Sequence, residues 1–160
     1  MRDCWGYEAN RWHTNKSPAL RNSGDTIDSH SNRMAKMALW LWGDDVSRQL
    51  LAAIVLHDCA ESGPGGTGDV PSHSKEGAYG GAIVERQWEV EEERGIARLI
   101  AVLSGDDARR LHFLDRLDAY RWAASVAPWE MGDDDWPEAR AGLLHRAERL
   151  GVRDKVEAVL

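Results

Sequence analysis

The sequence predicts an all-α fold in a single domain covering residues 1–160. Three observations carry that expectation. Apolar residues recur at helical spacing, as in Met34, Met37 and Leu41, or in Leu50 and Ile54. No stretch alternates apolar and polar residues as a half-buried strand would. Helix punctuation recurs along the chain, with capping residues before apolar stretches and Gly or Pro after them.

Residues 1–26 read as irregular, with Pro18, Gly24 and several polar turn formers. Asp28 or Ser29 is a candidate cap for a first helix through "HSNRMAKMALWLW", which Gly43 would stop. Asp44 or Asp45 would start a second helix, through about Ala60. "ESGPGGTGDVPSHS" is a Gly/Pro-rich loop. A third helical region is expected over about 75–93 and a fourth over about 95–103. Asp106 is a candidate cap for a fifth helix that ends before Pro128. "WEMGDDDW" reads as an acidic turn. Pro137 suits the first turn of a sixth helix ending near Gly151, and a short C-terminal helix follows.

Composition narrows the function. Charged residues make up 29% and hydrophobic ones 42%, the balance of a soluble globular chain. No apolar run approaches the roughly 20 residues needed to span a bilayer, and "MRDCWGYEANRW" lacks the apolar core of a signal peptide. The expectation is a cytoplasmic protein without membrane association. The two cysteines, Cys4 and Cys59, form no C-x-x-C pair, which argues against a disulfide framework or a thiolate zinc site. A net charge of -7 disfavours binding to duplex nucleic acid.

The second helix poses a chemical question. "LLAAIVLHDCAE" places Leu50, Ile54, His57, Asp58 and Glu61 on one face, apolar in its first half and ionisable in its second. A buried carboxylate beside an imidazole is costly unless something pairs with it. A divalent metal would satisfy both. His30 lies on the apolar stripe of the first helix with Met34, Met37 and Leu41. Asp115 and Asp118 lie beside Leu111, Leu114 and Leu117 on the fifth. Imidazoles and carboxylates drawn from helix ends around one core make an N/O metal site. Taken singly, each residue is ordinary: a lone helical His is most often a satisfied core or boundary residue. The ordered set, His, then His-Asp, then a later Asp, is more specific. His112, one turn before Asp115, offers a weaker alternative pair.

That order, with "LLAAIVLHDCAE" and "FLDRLDAY", resembles the HD-domain metal-dependent phosphohydrolases over roughly residues 9–125. Within that family the sequence is most similar to the small 5′-deoxynucleotidases of the YfbR type and the DatZ-type dATP triphosphohydrolases. The shared parts are Arg11-Trp12, "DSHS" at His30, His57-Asp58 with Glu61 three residues on, and "GDVP" with Lys75 six residues after Asp69. The loop "SGPGGTG" between Glu61 and Asp69, and the segment between Trp12 and His30, are longer than in that branch.

The resemblance implies an HD-domain helical bundle holding one divalent metal ion (Co, Mn, Zn, Ni, Fe or Mg). Its ligands would be His30, His57, Asp58 and Asp115, with Asp118 as the alternative fourth. Glu61 and Asp69 would be catalytic, Glu61 managing the proton of the attacking water and Asp69 the water or the leaving 5′-oxygen. Arg11 and Lys75 would bind phosphate and Trp12 the sugar or base. Lys16 and Arg21 are further cations, read as solvated. The implied reaction releases a deoxynucleoside from a small deoxynucleotide, either a monophosphate or a triphosphate such as dATP. Relatives of this kind assemble as homo-oligomers. Two other readings stay open: a nucleotide-binding module without turnover, and an alarmone hydrolase.

Overall fold

The computed structural model describes residues 17–21, 23–59, 96–132 and 135–160. Among these the regular structure is helical, in agreement with the all-α expectation. The first long helix, Ile27–Trp42, begins two or more residues earlier than expected. Its cap is Thr26, whose hydroxyl accepts the Ser29 N–H at 3.2 Å, and Asp28 falls inside the first turn. A single turn, Pro18–Arg21, precedes it. We number these α1 (Pro18–Arg21) and α2 (Ile27–Trp42).

Helix α2 stops at Gly43 as the sequence indicated. Gly43 has φ +54°, a conformation open to glycine without penalty, and its N–H bonds the Leu39 carbonyl. Asp44 and Asp45 do not start the next helix. They lie in a 3₁₀ turn, Gly43–Asp45, and the next helix, α3 (Arg48–Leu56), is capped by Ser47. The Ser47 hydroxyl accepts the Leu50 N–H at 2.9 Å and donates to Asp107 at 2.7 Å, so one side chain both caps α3 and ties it to a later helix. Helix α3 ends sooner than Ala60: Leu56 is its last residue, and His57 to Cys59 form a turn.

Among the described residues, α4 (Ile96–Ala101), α5 (Gly105–Val126), α6 (Trp136–Arg149) and α7 (Arg153–Glu157) follow, and the helical region expected over about 75–93 lies outside them. The cap of α5 is Ser104, not Asp106; its hydroxyl accepts the Asp107 N–H at 3.1 Å. Gly151, at φ +70°, reverses the chain between α6 and α7, where the Val152 N–H bonds back to Ala147. Lys155 on α7 donates to the Trp40 and Leu41 carbonyls (3.3 and 2.8 Å), satisfying acceptors that the end of α2 leaves open.

Helix α5 is the axis of the bundle and packs against α1, α2, α3 and α6. Its apolar face, Leu111, Leu114 and Leu117, interlocks with Met34, Ala38 and Leu41 of α2 and with Leu50 and Ile54 of α3 in one buried core. The aliphatic stripes therefore bring three helices to a common centre, and the polar residues that interrupt those stripes arrive there together. No helix among the described residues is long and apolar enough to cross a membrane.

Candidate metal centre

Each candidate ligand is placed by the packing just described. His30 sits in the first turn and a half of α2 and is completely buried. His57 caps the C-terminus of α3, and Asp58 follows in the turn. Because Leu50 and Ile54 are fully buried on the same side, the end of α3 delivers both residues toward the core. Asp115 and Asp118 project from the middle of α5.

The distances define one cluster. His30 Nε2 lies 3.6 Å from Asp58 Oδ2 and 3.3 Å from Asp115 Oδ1. His57 Nε2 lies 3.2 Å from Asp58 Oδ2, and the two imidazole centroids are 5.5 Å apart. His30, His57 and Asp58 offer ligand atoms within 4.8 Å of one another and could together hold a metal ion.

The hydrogen-bond chemistry of the rings fixes which nitrogens face that cluster. His57 Nδ1 is 2.9 Å from the Ile54 carbonyl, which only accepts, so Nδ1 carries the proton of the neutral ring. His57 Nε2 then presents a lone pair; it is buried and makes no hydrogen bond. His30 Nδ1 is 2.7 Å from Asp118 Oδ2, again an acceptor, which turns the Nε2 lone pair of the neutral ring toward Asp58 and Asp115. Two imidazole lone pairs and the Asp58 carboxylate thus converge on one place, and Asp115 adjoins them 3.3 Å from His30 Nε2. Bonds of about 2.0–2.2 Å to a common cation imply donor separations of roughly 3–3.5 Å, close to those observed. The donor set, hard oxygens with imidazole nitrogens, fits a divalent first-row metal.

Asp115 and Asp118 take different parts. Asp115 faces the Nε2 side and is 40% exposed, forming the open edge of the cluster. Asp118 is on the far side of the imidazole, 3% exposed, and holds the ring by Nδ1. This is the arrangement in which a second carboxylate fixes the tautomer and direction of a ligating histidine.

Asp118 is in turn held by Arg33, a residue the sequence reading did not single out. Arg33 Nε donates to Asp118 Oδ1 and Nη2 to Asp118 Oδ2, both at 2.8 Å, a bidentate pair. The same guanidinium bridges to buried Asp25 (2.8 Å) and lies 4.5 Å over the Trp122 ring, whose Nε1–H donates to Ser23. Burial by itself would raise the Asp118 pKa. Hydrogen bonds from His30 and Arg33, with the guanidinium charge, overcome it and hold the carboxyl below its ordinary value. Burial likewise works to lower the Arg33 pKa, and its bonds to Asp118 and Asp25 reverse that, so the guanidinium is held charged. The available signal was Arg33 standing three residues after His30, hence on the same face of α2.

His112 does not join the cluster. It is exposed and lines a cavity on another side of α5 with Phe113 and Arg116. Cys59 is buried and its thiol donates to the Val55 carbonyl. Arg11, Trp12, Lys16, Glu61, Asp69 and Lys75 lie outside the described residues, as does the side chain of Arg21. Comparison with protein-family models, with curated proteins and with solved structures gives no match for this chain.

Proposed function

We propose that this chain is a metal-dependent phosphohydrolase of the HD-domain kind, which releases a deoxynucleoside from a 5′-deoxynucleotide. The observation that carries the reading is the convergence of His30, His57 and Asp58, with Asp115 3.3 Å from His30 Nε2 and His30 oriented from behind by Asp118. The order and spacing of those residues are properties of the sequence alone. Their meeting in space is an independent requirement of the same reading.

In this proposal His30, His57, Asp58 and Asp115 hold one divalent ion. When bound, such an ion polarises a phosphoryl oxygen and makes water acidic enough to attack at neutral pH. The protein does the rest. His57 presents Nε2 because the Ile54 carbonyl occupies Nδ1. Asp118 and Arg33 keep His30 from rotating. Asp115, on the open edge, marks the side from which a phosphate ester approaches. Glu61 takes or positions the proton of the attacking water, and Asp69 serves the departing 5′-oxygen. Arg11 and Lys75 neutralise the phosphate, and Trp12 stacks on the sugar or base. The substrate is a soluble deoxynucleotide in the cytoplasm, and the working form is a homo-oligomer.

The test is direct. Protein stripped with chelator and reloaded with cobalt or manganese is incubated with dAMP and dATP separately, and products are separated by chromatography. Deoxyadenosine with phosphate from dAMP identifies a nucleotidase. Deoxyadenosine with triphosphate from dATP identifies a triphosphohydrolase. Metal-loaded protein that releases a deoxynucleoside from no deoxynucleotide of any base refutes the proposal, and nucleotide binding without turnover would make the chain a binding module.

A further inference from the structure

On the face formed by α5 and α6 lies a cavity of about 610 Å³. Its wall carries Arg109 and Arg116 from α5 and Arg146 and Arg149 from α6, with His112 beside them. Asp106 is its one carboxylate, and that carboxylate pairs with Arg109. Four arginines against one aspartate is a strong local excess in a chain whose net charge is -7. Among the described residues, Arg116, Arg146 and Arg149 make no ion pair within 4.0 Å. The floor is apolar, built from buried Phe113 and half-buried Leu150.

This concentration is not required by packing. Arg109, His112 and Arg116 share one face of α5 by their i, i+3, i+7 spacing, and Arg146 and Arg149 share one face of α6 by i, i+3. Like charges so placed repel. Partial burial, together with the Arg116 charge, lowers the Arg146 pKa, so the two guanidiniums feel one another. Four guanidiniums compensated by a single carboxylate around an apolar-floored hollow are a receptor for a multiply charged oxyanion, since each planar fork can bind phosphate oxygens in pairs. The adjoining hollow, about 480 Å³, shares Arg116 and Arg146 but is bounded by Asp135 and Glu138. Those carboxylates repel an anion and leave it the Arg149 end.

We propose that the α5–α6 cavity is a binding site for an oligophosphate, either a free inorganic chain or the phosphate tail of a nucleotide, separate from the metal centre. Asp115, the α5 residue of the metal centre, lies roughly 60–120° around the helix axis from Arg109, His112 and Arg116, so the two sites occupy adjoining sides of α5, and none of the cavity's lining residues belongs to the metal centre. The site stands whether or not the proposed catalytic activity does.

Calorimetric titration with inorganic tripolyphosphate, dATP and monophosphate tests it, at 50 and 300 mM salt. The proteins are wild type, Arg146→Gln/Arg149→Gln, and His57→Asn. Tripolyphosphate should bind at least tenfold more tightly than monophosphate and weaken at the higher salt. The double arginine variant should lose at least tenfold in affinity with unchanged circular dichroism, and His57→Asn should bind as wild type does. Equal affinity for dATP and tripolyphosphate assigns the site to the phosphate chain alone, and tighter dATP binding assigns it to a nucleotide. Three results would overturn the inference. One is no preference for the longer chain. Another is affinity lost in His57→Asn but kept in the arginine variant, which places the anion at the metal centre. The last is a dimer that dissociates in the arginine variant without any anion binding, which makes the face an interface between copies.

Discussion

Exchanging Asp118 for Asn tests whether this carboxylate orients a ligand or is one. The substitution keeps the shape and removes the charge. Three short contacts change: His30 Nδ1 at 2.7 Å, Arg33 Nε at 2.8 Å and Arg33 Nη2 at 2.8 Å. The amide keeps a single acceptor oxygen, so its NH₂ group must face a donor, either the imidazole N–H or the guanidinium. A hydrogen bond to a charged group contributes about 1.5–3 kcal/mol, and removing one partner of a buried ion pair costs about 3–5 kcal/mol. Arg33 is 28% exposed and retains Asp25, which places the expected loss near the lower end, about 3 kcal/mol. At roughly 2–4 °C per kcal/mol, the melting temperature should fall by about 6–12 °C. Urea denaturation followed by circular dichroism, in chelator, measures this loss without metal. Metal affinity, followed by cobalt absorption, should fall about 10–100-fold, as for partners of ligating histidines. Asp115→Asn should do the reverse. Its side chain is 40% exposed, so stability should change by under about 1 kcal/mol, while metal affinity falls further than in Asp118→Asn. If Asp118→Asn left metal-free stability intact and abolished metal binding, Asp118 would be the ligand and the assignment of parts would be wrong.

The remaining predictions concern the same centre and the core beneath it. A divalent ion at about 100 times its Kd should stabilise the wild type by about 2.7 kcal/mol; calorimetry should show this rise vanish in His57→Asn, and a rise that persists there would place the metal elsewhere. The Asp118 carboxyl titrates lower folded than its unfolded value of about 3.9, so its contribution is complete above that value and is lost as pH falls through the folded pKa. Urea midpoints measured from pH 6 down to pH 2 should therefore fall less steeply below about pH 4 in Asp118→Asn than in the wild type, and parallel curves would contradict this. Leu114 is fully buried where α2, α3 and α5 meet, so Leu114→Ala should cost about 2–5 kcal/mol in urea denaturation. Trp129→Ala, at a position 69% exposed, should stay within about 0.5 kcal/mol of wild type.

The aliphatic periodicity of the chain by itself determined the helical character of the described residues and the approximate helices among them, because a 3.6-residue repeat has one cheap way to bury its stripe. It also marked His30, His57 and Asp58, since ionisable residues that interrupt such a stripe are carried inward with it. Helix starts were less legible. Asp28, Asp44 and Asp106 are all acceptable caps by residue type, yet Thr26, Ser47 and Ser104 do the capping. Neighbouring candidates differ little in local energy, and packing of the following helix selects among them.

The parts of Asp115 and Asp118 were beyond the sequence. The two residues are one turn apart on the same helix, have the same chemistry and flank the same leucines. What separates them is the His30 ring between α2 and α5, which gives Nε2 to one and Nδ1 to the other. Arg33 and Asp25 escaped notice for a related reason. A charged side chain is read locally as solvated, and only the approach of α5 turns Arg33 into a half-buried bidentate partner. The Arg-lined cavity has the same origin, because residues 109–116 and 146–149 become one surface only when α6 folds back along α5. Periodicity is a property of one helix and can be read along the chain. Which face of a ring, or which side chain of a distant helix, completes a site depends on how helices cross, and that is settled by packing the whole core at once.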